Sequence, residues 1–72
     1  MHQLDLIKII KSRRESLTIT QEDLAELSGV GLRTLKQFER GKGNPTLLTL
    51  QKLSDALGLE VTISVKKLGG NP

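Results

Sequence analysis

The stretch Thr20-Gln21-Glu22-Asp23-Leu24-Ala25-Glu26-Leu27-Ser28-Gly29-Val30-Gly31-Leu32-Arg33-Thr34-Leu35-Lys36-Gln37-Phe38-Glu39-Arg40-Gly41 decides the fold. It reads as two short helices divided by a glycine-flanked break. Thr20 supplies a side-chain oxygen for the first helix's unpaired N–H groups, and Asp23, three residues on, completes a capping box. Glu22 and Asp23 also place negative charge at the positive end of the helix. Leu24, Ala25 and Leu27 are expected to face inward, and Ser28-Gly29 ends the helix because glycine accepts the left-handed conformation of a C-cap. The second helix begins at Gly31 or Leu32, carries Leu35 and Phe38 on its buried side, and stops at Gly41. Charge divides along the same line. The first helix holds Glu22, Asp23 and Glu26, whereas residues 32–42 hold Arg33, Lys36, Arg40 and Lys42 against Glu39.

Working outward, Leu6, Ile7 and Ile10 recur at helical spacing between Leu4 and Ser16, with Lys8, Lys11 and Arg14 on other faces, so a preceding amphipathic helix is expected. Ile9 falls outside the tightest stripe, either as peripheral core or under another chain. After Lys42-Gly43-Asn44, Pro45-Thr46 opens a fourth helix whose Leu47, Leu50, Leu53 and Leu57 form an apolar face and whose stop is Gly58. The period then changes to two. Leu59, Val61, Ile63 and Val65 alternate with Glu60, Thr62, Ser64 and Lys66, the pattern of a strand with one apolar face. No other segment reads as a strand. Unpaired backbone groups are costly, so the same strand of a second copy is the expected partner, making a two-fold homodimer with an intermolecular ribbon. The expected organisation is a mainly α, four-helix domain over residues 1–58, a dimerising strand over 59–67 and a flexible tail over 68–72.

Composition sets the outer limits. The chain has 72 residues, a formal charge of +3, 36% hydrophobic residues, one phenylalanine and no cysteine. That suits one small domain with an aliphatic core. Disulfides, thiolate zinc sites and cysteine nucleophiles are excluded, and His2, the lone histidine, cannot assemble a metal site of the usual kind. No cofactor is expected. No segment approaches the roughly 18 apolar residues of a membrane span, and no leader peptide is recognisable, so the expected location is the cytoplasm. The glycines around Val30 and Lys42 lack the spacing of a phosphate-binding loop. Glu15, Glu22, Asp23 and Glu26 fall on helix surfaces with no nucleophile beside them, so an enzyme is not expected.

A capped acidic helix followed by a basic one across a tight turn is the arrangement of a helix-turn-helix, in which the second helix enters the major groove. Its N-terminal end approaches the bases, so Leu32 and Arg33 come first and Lys36 and Gln37 one turn later. Thr20-Gln21-Glu22-Asp23-Leu24-Ala25, Gly29-Val30, Thr34-Leu35, Phe38-Glu39-Arg40-Gly41, Asn44-Pro45-Thr46 and Asp55-Ala56-Leu57 together resemble the helix-turn-helix domain of the phage Cro/repressor (XRE-type) family, over roughly Leu6 to Gly58. The resemblance implies that Gln21 binds a phosphate, that Arg33, Lys36 and Gln37 occupy base-contacting positions, and that the segment from Arg40 to Gly43 approaches the backbone. The set expected at the DNA surface is Thr20, Gln21, Leu32, Arg33, Thr34, Lys36, Gln37, Arg40 and Lys42. Arg14 and Glu39 fall where the family commonly has a structural ion pair.

Two departures stand out. Gly31 and Leu32 occupy positions where many members carry polar residues, so base preference does not transfer, although Leu32 can meet a thymine methyl. A strand also replaces the usual fifth helix, which is similar to the HipB-type antitoxins, whose C-terminal strands pair between subunits. The resemblance implies a repressor of its own operon, bound to a palindromic operator and partnered by a HipA-like kinase toxin. Two readings compete with it: a protein-interaction module with weak or no DNA binding, and a solitary regulator without a toxin.

Overall fold

The computed structural model describes residues 3–65 and consists of four helices: α1 (Gln3–Ser16), α2 (Gln21–Ser28), α3 (Leu32–Glu39) and α4 (Leu47–Ala56). Both threonines expected to open helices do so. Thr20 Oγ1 accepts from the Asp23 N–H and the Asp23 carboxylate accepts from the Thr20 N–H, each at 3.0 Å. Thr46 Oγ1 accepts from the Thr49 N–H at 3.1 Å.

The helices stop in closely related ways. At the end of α3 the Gly41 N–H bonds to Phe38 O and the Lys42 N–H to Gln37 O, and at the end of α4 the Gly58 N–H bonds to Asp55 O and the Leu59 N–H to Ser54 O. This is the paired pattern of a Schellman motif, which needs a left-handed residue at its centre. Helix α1 uses the same motif, with Thr18 N–H to Glu15 O and Ile19 N–H to Arg14 O, but its central residue is Thr18 at φ 60. A β-branched residue there is strained. No glycine marks this stop.

Ile7, Ile10, Leu24, Val30, Leu35, Phe38, Leu53 and Leu57 form the core, with Ile19, Ala25, Leu50, Ala56 and Leu59 packed around it. Leu24, Leu35 and Leu53 are fully enclosed. At about 1.5–3 kcal/mol per buried side chain, these leucines and Phe38 dominate the stabilising side of a small domain. Helix α2 packs against α3 and α4, and α1 packs against α3.

Two inward assignments are corrected. Leu27 is 65% exposed and Leu47 is 51% exposed. Leu27 lies about 60° around the helix from Leu24, on the side opposite Ala25, so a helix packed through Leu24 and Ala25 turns it outward. Leu47 begins α4, where the helix has not yet entered the core; Leu50 is half-buried and Leu53 enclosed. Ile9 is exposed on α1.

The strand expected over residues 59–67 is not formed across 59–65, and residues 66 and 67, like the expected tail, lie outside the described residues. Leu59, expected on that strand's apolar face, instead packs on the core and closes the α4 motif. Beyond it the segment leaves the domain surface: Val61 is 39% exposed, Ile63 89% and Val65 97%. Among the described residues no helix is long and apolar enough to cross a membrane.

Candidate nucleic-acid interface

The turn between α2 and α3 sets the pose of α3. Gly29 adopts φ 77 and its N–H bonds to Ala25 O at 3.0 Å. Ser28 Oγ then accepts from the Val30 N–H at 3.1 Å, while the Val30 side chain is buried. A side-chain acceptor, a left-handed glycine and an apolar plug thus fix three successive residues. Ser28 and Val30 were missed as positioning residues; the signal available was a serine two residues before a valine in a turn, the spacing of a side-chain-to-backbone bond.

Helix α3 has two sharply different faces. Leu35, Phe38 and Glu39 are buried, whereas Arg33, Lys36, Gln37 and Arg40 are exposed. Positions 33, 36, 37 and 40 lie on one side of a helix, and with half-buried Leu32 they line a single shallow concavity. Thr34 and Lys42 are exposed and border a neighbouring hollow beside the loop at residues 43–45, with Gln37 shared between the two. Thr20 is exposed and Gln21 half-buried at the start of α2.

The one carboxylate of the basic segment is withdrawn from this surface. Glu39 Oε2 accepts from Arg14 Nε at 2.8 Å and Glu39 Oε1 from Arg14 Nη2 at 3.0 Å, with side-chain exposures of 3% for Glu39 and 11% for Arg14. Arg14 Nη1 also donates to the Ile19 carbonyl at 2.8 Å. The hydrogen bond to Glu39 raises the Arg14 pKa above its ordinary value, against the opposing pull of burial. A raised guanidinium pKa stabilises the fold throughout the neutral range and is lost only as pH rises through it. Arg33, Lys36, Arg40 and Lys42 therefore act on solvent without an exposed negative charge among them.

Gln21 has a partner that spacing did not indicate. Its Nε2 donates to Glu39 Oε1 at 3.0 Å, across eighteen residues of chain. On the opposite flank Arg13 Nε donates to Leu57 O at 3.0 Å, tying α1 to the end of α4. Among the described residues no group of three or more metal-ligating side chains converges.

A bare basic surface on a helix held by a fixed turn is what groove recognition requires. Comparison with known proteins agrees. The family model for helix-turn-helix domains matches residues 10–63. An uncharacterized HTH-type transcriptional regulator of Methanothermobacter thermautotrophicus is 38% identical over 52 residues, covering 72% of this chain and 75% of the relative. The cryptic phage CTXphi transcriptional repressor RstR of Vibrio cholerae is 33% identical over 52 residues, covering 72% of this chain and 46% of the repressor. The immunity repressor protein of Bacillus phage phi105 is 38% identical over 56 residues, covering 78% of this chain and 39% of that protein. The chain belongs to the helix-turn-helix family of Cro/repressor-type transcriptional regulators, a family of sequence-specific DNA-binding proteins rather than catalysts.

Proposed function

We propose that the chain is a transcriptional repressor that acts as a two-fold homodimer on a palindromic operator, with the two α3 helices in successive major grooves about 34 Å apart. Arg33, Lys36 and Gln37 read base edges and Leu32 meets a thymine methyl. Thr20, Gln21, Thr34, Arg40 and Lys42 hold the sugar–phosphate backbone. The observation that carries this reading is the exposed set Arg33, Lys36, Gln37 and Arg40 on one face of α3, cleared of negative charge by the burial of Glu39. The Vibrio cholerae and Bacillus phage relatives, both repressors, support the same reading.

The finer reading is a HipB-like antitoxin that represses its own operon in the cytoplasm and binds a HipA-like kinase toxin. It rests on the C-terminal alternation. Val61, Ile63 and Val65 are increasingly exposed as the chain leaves the domain, and apolar side chains in that setting favour pairing with the same segment of a second copy.

The test is fluorescence anisotropy with a duplex from upstream of the chain's own gene and a shuffled control. A repressor binds the first selectively and loses roughly a thousandfold or more between about 50 and 200 mM salt, as six to ten neutralised phosphates require. Equal weak binding to both duplexes favours a protein-interaction module instead. Co-elution with a kinase encoded beside the gene separates an antitoxin from a solitary regulator.

A further inference from the structure

The half-buried Gln21 amide is held by a carboxylate that belongs to the core and not to the DNA surface. A primary amide has two N–H donors and one carbonyl, and a carboxylate accepts only donors, so just one orientation of the Gln21 amide fits against Glu39 Oε1. With the nitrogen fixed there, the second N–H has no partner among the described residues, and Gln21 is only half-buried at the first turn of α2. The charge behind it matters equally. An unpaired carboxylate at this place would repel a phosphate, but the two-bond fork from Arg14 neutralises Glu39. An unrestrained surface glutamine loses rotamer freedom when it binds, whereas this one has been ordered by folding.

We propose that the buried Glu39 carboxylate, neutralised by Arg14, fixes the Gln21 amide so that its free N–H is presented to a DNA phosphate, which makes Glu39 a positioning residue for a contact it does not itself make. The inference rests on the DNA-binding reading above. It links α1, α2 and α3 through one carboxylate, so the ion pair that holds the recognition helix also sets the phosphate clamp beside it.

The test compares the wild type, Gln21→Ala, the paired replacement Arg14→Met with Glu39→Leu, and the triple variant, each binding a short random-sequence duplex at low salt. Replacing a buried ion pair by apolar residues of similar size is often neutral for folding, so the paired replacement separates positioning from structure. Gln21→Ala is expected to weaken binding roughly tenfold, the effect of one hydrogen bond to a charged group. The paired replacement is expected to lose part of that factor, the share that pre-ordering supplies, and adding Gln21→Ala to it to cost correspondingly less than tenfold. A folded paired replacement that keeps full affinity, or in which Gln21→Ala still costs tenfold, overturns the proposal. Nitrogen relaxation of the Gln21 side-chain amide in the free wild-type protein decides independently of whether the variants fold. A restrained Gln21 beside mobile Gln37 and Gln51 is expected, and equal mobility of the three overturns it. Failure of the wild type to bind any duplex would instead count against the DNA-binding reading, and the relaxation arm would still judge the orientation.

Discussion

Arg14 and Glu39 meet through two parallel N–H···O bonds of 2.8 and 3.0 Å across twenty-five residues of chain, and the carboxylate is 3% exposed. Pairs of this kind are asymmetric. They add little over a well-packed apolar pair, yet removing one member strands a charge in the interior. Arg14 also bonds the Ile19 carbonyl and, through its own backbone carbonyl, receives the Ile19 N–H.

Arg14→Met alone is therefore expected to cost about 3–5 kcal/mol. Stability for a domain of this kind is of the order of 5–15 kcal/mol, so the variant should sit near its unfolding limit at ambient temperature. Urea denaturation followed by circular dichroism measures it. A loss below about 1 kcal/mol would mean that the pair is solvated and dispensable.

Thr18→Gly is expected to stabilise the protein. Thr18 is the only non-glycine residue with positive φ among the described residues, and it occupies a position filled by glycine in the equivalent motifs of α3 and α4. Relief of the strain, less the added freedom of the unfolded glycine chain, should yield about 1 kcal/mol. In a domain of this size that raises the melting temperature by roughly 4–8 °C. An unchanged or lower melting temperature would show that the Thr18 side chain compensates for its backbone.

Gly31→Ser should also stabilise, by about 0.5–1 kcal/mol. Gly31 caps α3 with no side-chain bond, at φ −59 and ψ 143, a conformation open to serine. An added Cβ would meet only Thr34 Oγ1, at 3.9 Å. The new hydroxyl can accept from the first turn of α3, and thermal denaturation would register the gain. A loss of stability would indicate that the turn tolerates no side chain.

Ending the chain after Glu60 is expected to leave a folded but monomeric domain, because Leu59 and its bond to Ser54 O are kept while Val61, Ile63 and Val65 are removed. Sedimentation equilibrium compares the two lengths. A truncated protein that remains a tight dimer would move the interface to the exposed leucines of α2 and α4.

Features governed by local chemistry were legible in the sequence. The Thr20–Asp23 capping box, the stops at Gly29, Gly41 and Gly58, and the basic outer face of α3 all follow from residue type at fixed short spacing. What escaped depends on how helices meet. Leu27 satisfies helical periodicity but points away because α2 presents another side to the core, and Leu47 is exposed because it opens α4 ahead of the core, although Ser54 on the same side of the helix is buried. The bond from Gln21 to Glu39 joins two helices at an angle that no periodicity encodes. The end of α1 was obscured because threonine stands where glycine would have announced it. Residues 59–65 have the alternation of a strand, yet among the described residues of the chain no second strand offers a ladder.

The most direct test of DNA reading by α3 is the affinity of the Arg33→Ala, Gln37→Ala double variant for cognate and shuffled duplexes, measured beside the wild type at one salt concentration. At roughly 1–3 kcal/mol per lost base contact, cognate affinity should fall by about two orders of magnitude or more. Binding to the shuffled duplex should fall only by the share that the dimer's two missing positive charges carry. Equal, small losses on both duplexes would contradict base reading by α3.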